Sequence, residues 1–189
     1  MESHQVTHPP FDVDQAFIVH HDFYNNGCNS TMSNVGSAVA FIPDMDGDGI
    51  ADFAIAATRN DFMDKGSVWI YLSTDMENFQ SGVISDSGYR IELTGGTDGD
   101  KLGTALSSAD VDGDGLSDLL VSAASEGSAG AVYVVFGRDL PAMPVTMDIR
   151  SIASLTFNGM EIGDRAGVDL SGIGDIDGDG DEEYLITAS

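Results

Sequence analysis

Three segments of this chain repeat one pattern of acids and glycines. They are Asp44-Met45-Asp46-Gly47-Asp48-Gly49-Ile50-Ala51-Asp52, Asp110-Val111-Asp112-Gly113-Asp114-Gly115-Leu116-Ser117-Asp118 and Asp175-Ile176-Asp177-Gly178-Asp179-Gly180-Asp181-Glu182-Glu183. Successive starts lie 66 and 65 residues apart. A fixed period of that length means repeated supersecondary units, each too small to bury its own apolar faces and stable only when stacked on a neighbour. The three segments hold 14 of the 32 acidic residues, and 25 of those 32 are Asp. A merely solvated helical surface favours Glu, whereas Asp favours turns and ligates hard cations.

Short apolar runs flank each acidic segment in a constant order. Upstream are the Gly-led runs 35–41, 102–106 and 166–170, and downstream are 53–57, 119–124 and 184–188. A third run follows in the two longer units, at 66–72 and 130–136, and a weaker fourth at 89–93 and 154–157. They are rich in Val, Ile and aromatics and bounded by Gly, Asp and Ser, which reads as strands joined by turns. No long window carries a helical period. The unit is therefore about 65 residues and four short antiparallel strands, the pattern of a β-propeller blade.

The acidic segments have the chemistry of a cation loop. Carboxylates at positions 1, 3 and 5 repel one another unless a hard ion collects them. Calcium accepts six to eight oxygens at about 2.3–2.6 Å with irregular geometry. The glycines at positions 4 and 6 let the backbone curl. Position 7 offers a backbone carbonyl and position 9 a closing carboxylate. The expected ligands are Asp44, Asp46, Asp48, Ile50 through its carbonyl and Asp52; then Asp110, Asp112, Asp114, Leu116 through its carbonyl and Asp118; then Asp175, Asp177, Asp179, Asp181 through its carbonyl and Glu183. Up to three Ca2+ ions follow. Magnesium prefers a tighter, wetter octahedron, and zinc prefers His or Cys. An EF-hand needs a bidentate Glu at position 12, where this chain has Ile55, Val121 and Ile186.

The formal net charge of -25, with only 7 Lys and Arg, excludes a general nucleic-acid binder. The single cysteine, Cys28, precludes an intrachain disulfide and reads as a small packed side chain. The four His, at 4, 8, 20 and 21, form no ligand pattern. No apolar stretch is long enough to span a bilayer, and Met1 to Pro10 lacks an apolar signal core. No nucleophile elbow, His-Glu-x-x-His or phosphate loop is present, so no catalytic residue is expected.

A Gly-led strand, an Asp-x-Asp-Gly-Asp-Gly-x-x-Asp loop and an apolar strand together resemble the FG-GAP repeat of integrin α-subunit propellers. The Phe-Gly element is degenerate, as Val35-Gly36, Leu102-Gly103 and Ala166-Gly167, while Gly99-Asp100-Lys101-Leu102-Gly103 and Gly163-Asp164-Arg165-Ala166-Gly167 follow the family's lead-in. The resemblance implies an all-β partial propeller of about two and a half blades: 1–30 as an N-terminal segment with the outer strand of a preceding blade, 31–95 and 96–160 as repeats, and 161–189 as a partial repeat. It implies a calcium-binding extracellular or cell-surface module for adhesion or protein interaction, within a larger protein. The alternative is the accessory propeller of a secreted hydrolase such as a phospholipase. The partner, protein or glycan, is not encoded in a readable motif; segments 59–66 and 125–130 are candidate surface loops.

Overall fold

The computed structural model describes residues 18–19, 34–59, 63–75, 83–84 and 89–189. Cys28, the four His, most of segment 1–30 and residues 60–62 of the first candidate surface loop lie outside the described residues. Among the described residues the secondary structure is strands and short 3-10 turns, with no α-helix.

The first sheet contains β2 (Val35–Ile42), β3 (Asp52–Ala57), β4 (Ser67–Tyr71) and β6 (Ile91–Thr94), joined antiparallel in that order. The second contains β7 (Leu106–Ala109), β8 (Asp118–Ala123), β9 (Ala131–Val135) and β11 (Leu155–Asn158), again antiparallel. The third is the hairpin β12 (Leu170–Gly174) and β13 (Glu183–Ile186). The expected all-β repeat of antiparallel sheets is present.

Alternate side chains on each strand go to opposite faces, and both faces of the middle sheet are covered. Leu119, Val121, Tyr133 and Val135 pack against Ala54, Ala56, Val68, Ile70 and Leu93 of the first sheet. Leu120, Val132, Val134 and Phe136 face the other way, onto Leu170, Tyr184 and Ile186 of the third. All six residues of β8 are consequently buried, so its sequence, Asp-Leu-Leu-Val-Ser-Ala, shows no alternation of polar and apolar residues. The sheets thus stack in chain order, with β2 beside β7 and β7 beside β12.

Two features depart from the four-strand expectation. The runs 102–106 and 166–170 are mostly not strands, since β7 starts at Leu106 and β12 at Leu170. Gly103 and Gly167 sit at φ +84° and +86°. A side chain at either would drive into the preceding sheet, against Ala56 and Val68 or Ser122 and Val132. These glycines make the chain turn tightly between sheets, and Leu102 fills the space beside the turn, fully buried. The second departure is β10 (Val145–Asp148), which pairs in parallel with β6 as a fifth strand of the first sheet. The short pair β1 (Ile18–Val19) and β5 (Val83–Ile84) has the same parallel sense. Sequence patterning missed β10 because its residues lie on an edge and are only partly buried, so no apolar alternation marks them.

Candidate metal centre

Each acidic segment connects the first two strands of a sheet: β2 to β3, β7 to β8, and β12 to β13. The position 9 acids Asp52, Asp118 and Glu183 are the first residues of β3, β8 and β13. The loops therefore lie at one end of the stack, on the rigid starts of paired strands.

Every loop winds its backbone around its own carboxylates. In the first, Asp44 accepts from Gly47 N at 2.7 Å through one oxygen and from Gly49 N at 2.9 Å through the other. Asp46 accepts from Asp48 N at 3.2 Å, and Asp48 from Ile50 N at 2.7 Å. The second and third loops repeat this around Asp110 and Asp175, with Gly115 N and Gly180 N at 2.9 and 3.1 Å. The position 4 and 6 glycines make this path passable, for example Gly47 and Gly49 at φ +80° and +81°.

The result is three clusters of carboxylates whose oxygens lie within 4.8 Å of one another: Asp44, Asp46 and Asp48; Asp110, Asp112 and Asp118; and Asp175, Asp177 and Glu183. Positions 1 and 3 meet in every loop, and the third member is position 5 in the first loop and position 9 in the others. Asp52, Asp114 and Asp179 fall outside these tightest groups. Asp114 and Asp179 each accept the N–H two residues on, from Leu116 at 2.9 Å and Asp181 at 3.0 Å. Ile50, Leu116 and Asp181 occupy position 7, where each N–H is held by the position 5 carboxylate. An all-oxygen set of this kind suits a hard cation such as calcium.

The position 9 acid has a second task. Asp52 is buried and accepts from Met45 N at 2.7 Å and Ser73 N at 2.8 Å. Asp118, also buried, accepts from Val111 N at 2.8 Å and Gly137 N at 3.0 Å. Each carboxylate thus clasps the start of its loop to the chain leaving the third strand of the sheet. Glu183 is one methylene longer yet takes the equivalent N–H, from Ile176 at 2.8 Å. Burial pushes the carboxyl groups of Asp52 and Asp118 up from 3.8 to about 6. The two backbone donors oppose this rise, while Asp46 and Asp48, or Asp112 and Asp114, add to it.

Neighbouring loops are joined to one another. Ser117 N donates to the Asp44 carbonyl at 2.7 Å, and Glu182 N to the Asp110 carbonyl at 2.9 Å. The Glu182 carboxylate also accepts from Asp110 N at 3.0 Å. Glu182 looks like surplus charge in the sequence, but it ties the third loop to the second. A sequence signal exists, because Ser117 and Glu182 share position 8 of their loops.

The loops also differ in what faces their outward oxygens. In the first, Ser73 Oγ donates to Asp48 at 2.6 Å and Thr74 Oγ1 to Asp46 at 3.0 Å. In the second, Arg138 Nη1 lies 2.5 Å from Asp112 Oδ2 and 3.5 Å from Asp114 Oδ2. These donors lie in matching 3-10 turns, Ser73–Asp75 and Gly137–Asp139.

The FG-GAP repeat model matches residues 35–71 and 102–135. Over these two stretches the chain is similar to FG-GAP repeats. Each matched stretch comprises three strands of one sheet with its acidic loop, so the first two loops lie inside the repeats and the third beyond the matched residues. Integrin alpha-PS5 of Drosophila melanogaster is 29% identical over 154 residues, which is 77% of this chain and 14% of that protein. Among the described residues no helix is long and apolar enough to cross a membrane.

Proposed function

We propose that this chain is a calcium-stabilised portion of an extracellular, integrin α-like β-propeller that serves adhesion or protein interaction. The observation that carries the reading is the recurrence of one oxygen-rich loop at the same place on three stacked sheets, two of them inside FG-GAP matches. The proposed ligands are the position 1, 3, 5 and 9 carboxylates with the carbonyls of Ile50, Leu116 and Asp181. The proposed blades are 31–95, 96–160 and 161–189. The parallel pairing of β1 with β5, like that of β6 with β10, supports 1–30 as carrying the outer strand of a preceding blade.

Calcium neutralises the carboxylates that each loop gathers and fixes the ends of the strands. Partner recognition falls to the opposite end of the sheets, where the described part of 59–66 and all of 125–130 dock on the next linkers. Examples are Leu102 N to the Lys65 carbonyl at 2.9 Å and Ala166 N to the Ala129 carbonyl at 2.8 Å.

The test is calorimetric calcium titration combined with thermal unfolding. Extracellular modules hold calcium at roughly 10⁻⁴ to 10⁻³ M. About 10 mM calcium should then add roughly 1.4–2.7 kcal/mol per site. Asp112→Ala with Asp114→Ala should remove one site and its share of the gain. A chain with no heat of binding and no calcium-dependent melting would refute the reading.

A further inference from the structure

Resting on that calcium reading, we propose that Arg138 is a tethered counter-cation that competes with calcium at the second loop, so that this loop takes up the ion more weakly than it would with a neutral residue there.

The clasp by the position 9 acids sets the register of the comparison. Ser73 N binds Asp52 and Gly137 N binds Asp118, so Ser73 corresponds to Gly137 and Thr74 to Arg138. The same point of the fold thus carries a neutral hydroxyl in one repeat and a permanent cation in the next. Arg cannot lose its proton at any physiological pH, so the second loop always has a positive group within reach.

The oxygens it reaches are those an incoming ion needs. Asp112 Oδ1 already accepts from Asp114 N at 3.2 Å, and Asp114 Oδ1 from Leu116 N at 2.9 Å. Their outward oxygens remain, and these are the two that face Arg138. Asp112 Oδ2 is shielded from solvent and takes no well-directed hydrogen bond, which leaves the guanidinium 2.5 Å away as its charge partner. The guanidinium is held there by the face of Phe136, 4.7 Å from the ring centroid. In the first loop the corresponding oxygens receive hydroxyl hydrogens, which compensate charge less and turn aside at little cost. A calcium ion entering the second loop must meet the Arg138 charge at close range or displace it. The displaced side chain has somewhere to go, because it is about half exposed.

The experiment follows backbone amides of the full chain by heteronuclear NMR during calcium titration. Gly47 and Gly49 report the first loop; Gly113 and Gly115 report the second. Arg138→Thr installs the first repeat's residue. It should lower the calcium midpoint at Gly113 and Gly115 about fivefold, the equivalent of a ~1 kcal/mol ion pair, and leave that at Gly47 and Gly49 unchanged. It should also lower the melting temperature in chelator, where the loop loses its counter-charge. Arg138→Lys, which keeps the charge but loses the planar fork, should stay within about twofold of the unsubstituted chain. An unmoved second-loop midpoint in Arg138→Thr, or equal shifts at both loops, overturns the role of Arg138 while calcium binding stands. Glycine amides that ignore calcium in every variant remove the calcium reading itself.

Discussion

The buried acids Asp52 and Asp118 make the calcium-free chain more stable in mild acid than at neutral pH. Their carboxyl groups titrate near 6 in the folded chain, against 3.8 when unconstrained. Between those values the folded state holds protons that the unfolded chain has released, so stability falls as pH rises through the window. The full rise corresponds to at most ~3 kcal/mol per group. Moving from pH 7 to pH 5 recovers about 1.3 kcal/mol of this per group, and about half that once water reaching the loops screens the charge. For a chain of this size the pair should raise the melting temperature by about 3–5 °C. The assay is thermal unfolding in chelator at both pH values. Repulsion from Asp46 and Asp48, and from Asp112 and Asp114, raises the two groups further. Asp52→Asn with Asp118→Asn isolates the buried pair and should flatten most of the profile. In saturating calcium the profile should reverse, because a bound ion requires ionised carboxylates. A calcium-free chain as stable at pH 7 as at pH 5, or a double variant with an undiminished slope, would refute the reasoning.

Two packing predictions are independent of calcium. Gly137→Ala places a methyl group against the Met45 and Ser117 carbonyl oxygens, where the first two loops meet. It should cost about 1–3 kcal/mol, read by urea unfolding in chelator, and an unchanged midpoint would show that the loops are free to separate. Tyr133→Phe removes the hydroxyl that donates at 2.7 Å to the Glu126 carboxylate, a group whose titration burial already pushes upward. The loss should be about 1–3 kcal/mol at pH 7 and should shrink as pH falls, because a protonated Glu126 is cheaper to bury, and pH-dependent chemical denaturation measures both.

The repeat, its period and the loop chemistry were legible in the sequence because each rests on local rules. Asp at alternate positions separated by Gly can only crowd carboxylates in a tight turn, and Val-rich runs between such turns pair as strands. The order of strands within each sheet followed from the same short connections. What the sequence did not reveal depends on contacts between units. Leu102-Gly103 reads as a strand start, yet the approach of Ala56 from the preceding sheet makes it a turn. β10 carries no pattern of its own and exists because β6 offers an open edge.

The candidate site divides along the same line. The identities of the acids came from spacing alone. Their division of labour did not: Asp52 and Asp118 became buried clasps only when the third strand of each sheet returned Ser73 and Gly137 to them. Glu182 acquired a partner only when the third hairpin stacked on the second sheet. Arg138 is one of few basic residues in a strongly acidic chain, and nothing nearby in sequence ties it to Asp112 and Asp114. Sequence determined that each unit would gather carboxylates in a tight loop on a strand pair. Tertiary structure decided how those loops are clasped, linked and charged, because hydrogen bonds and ion pairs between distant segments exist only after the sheets have stacked.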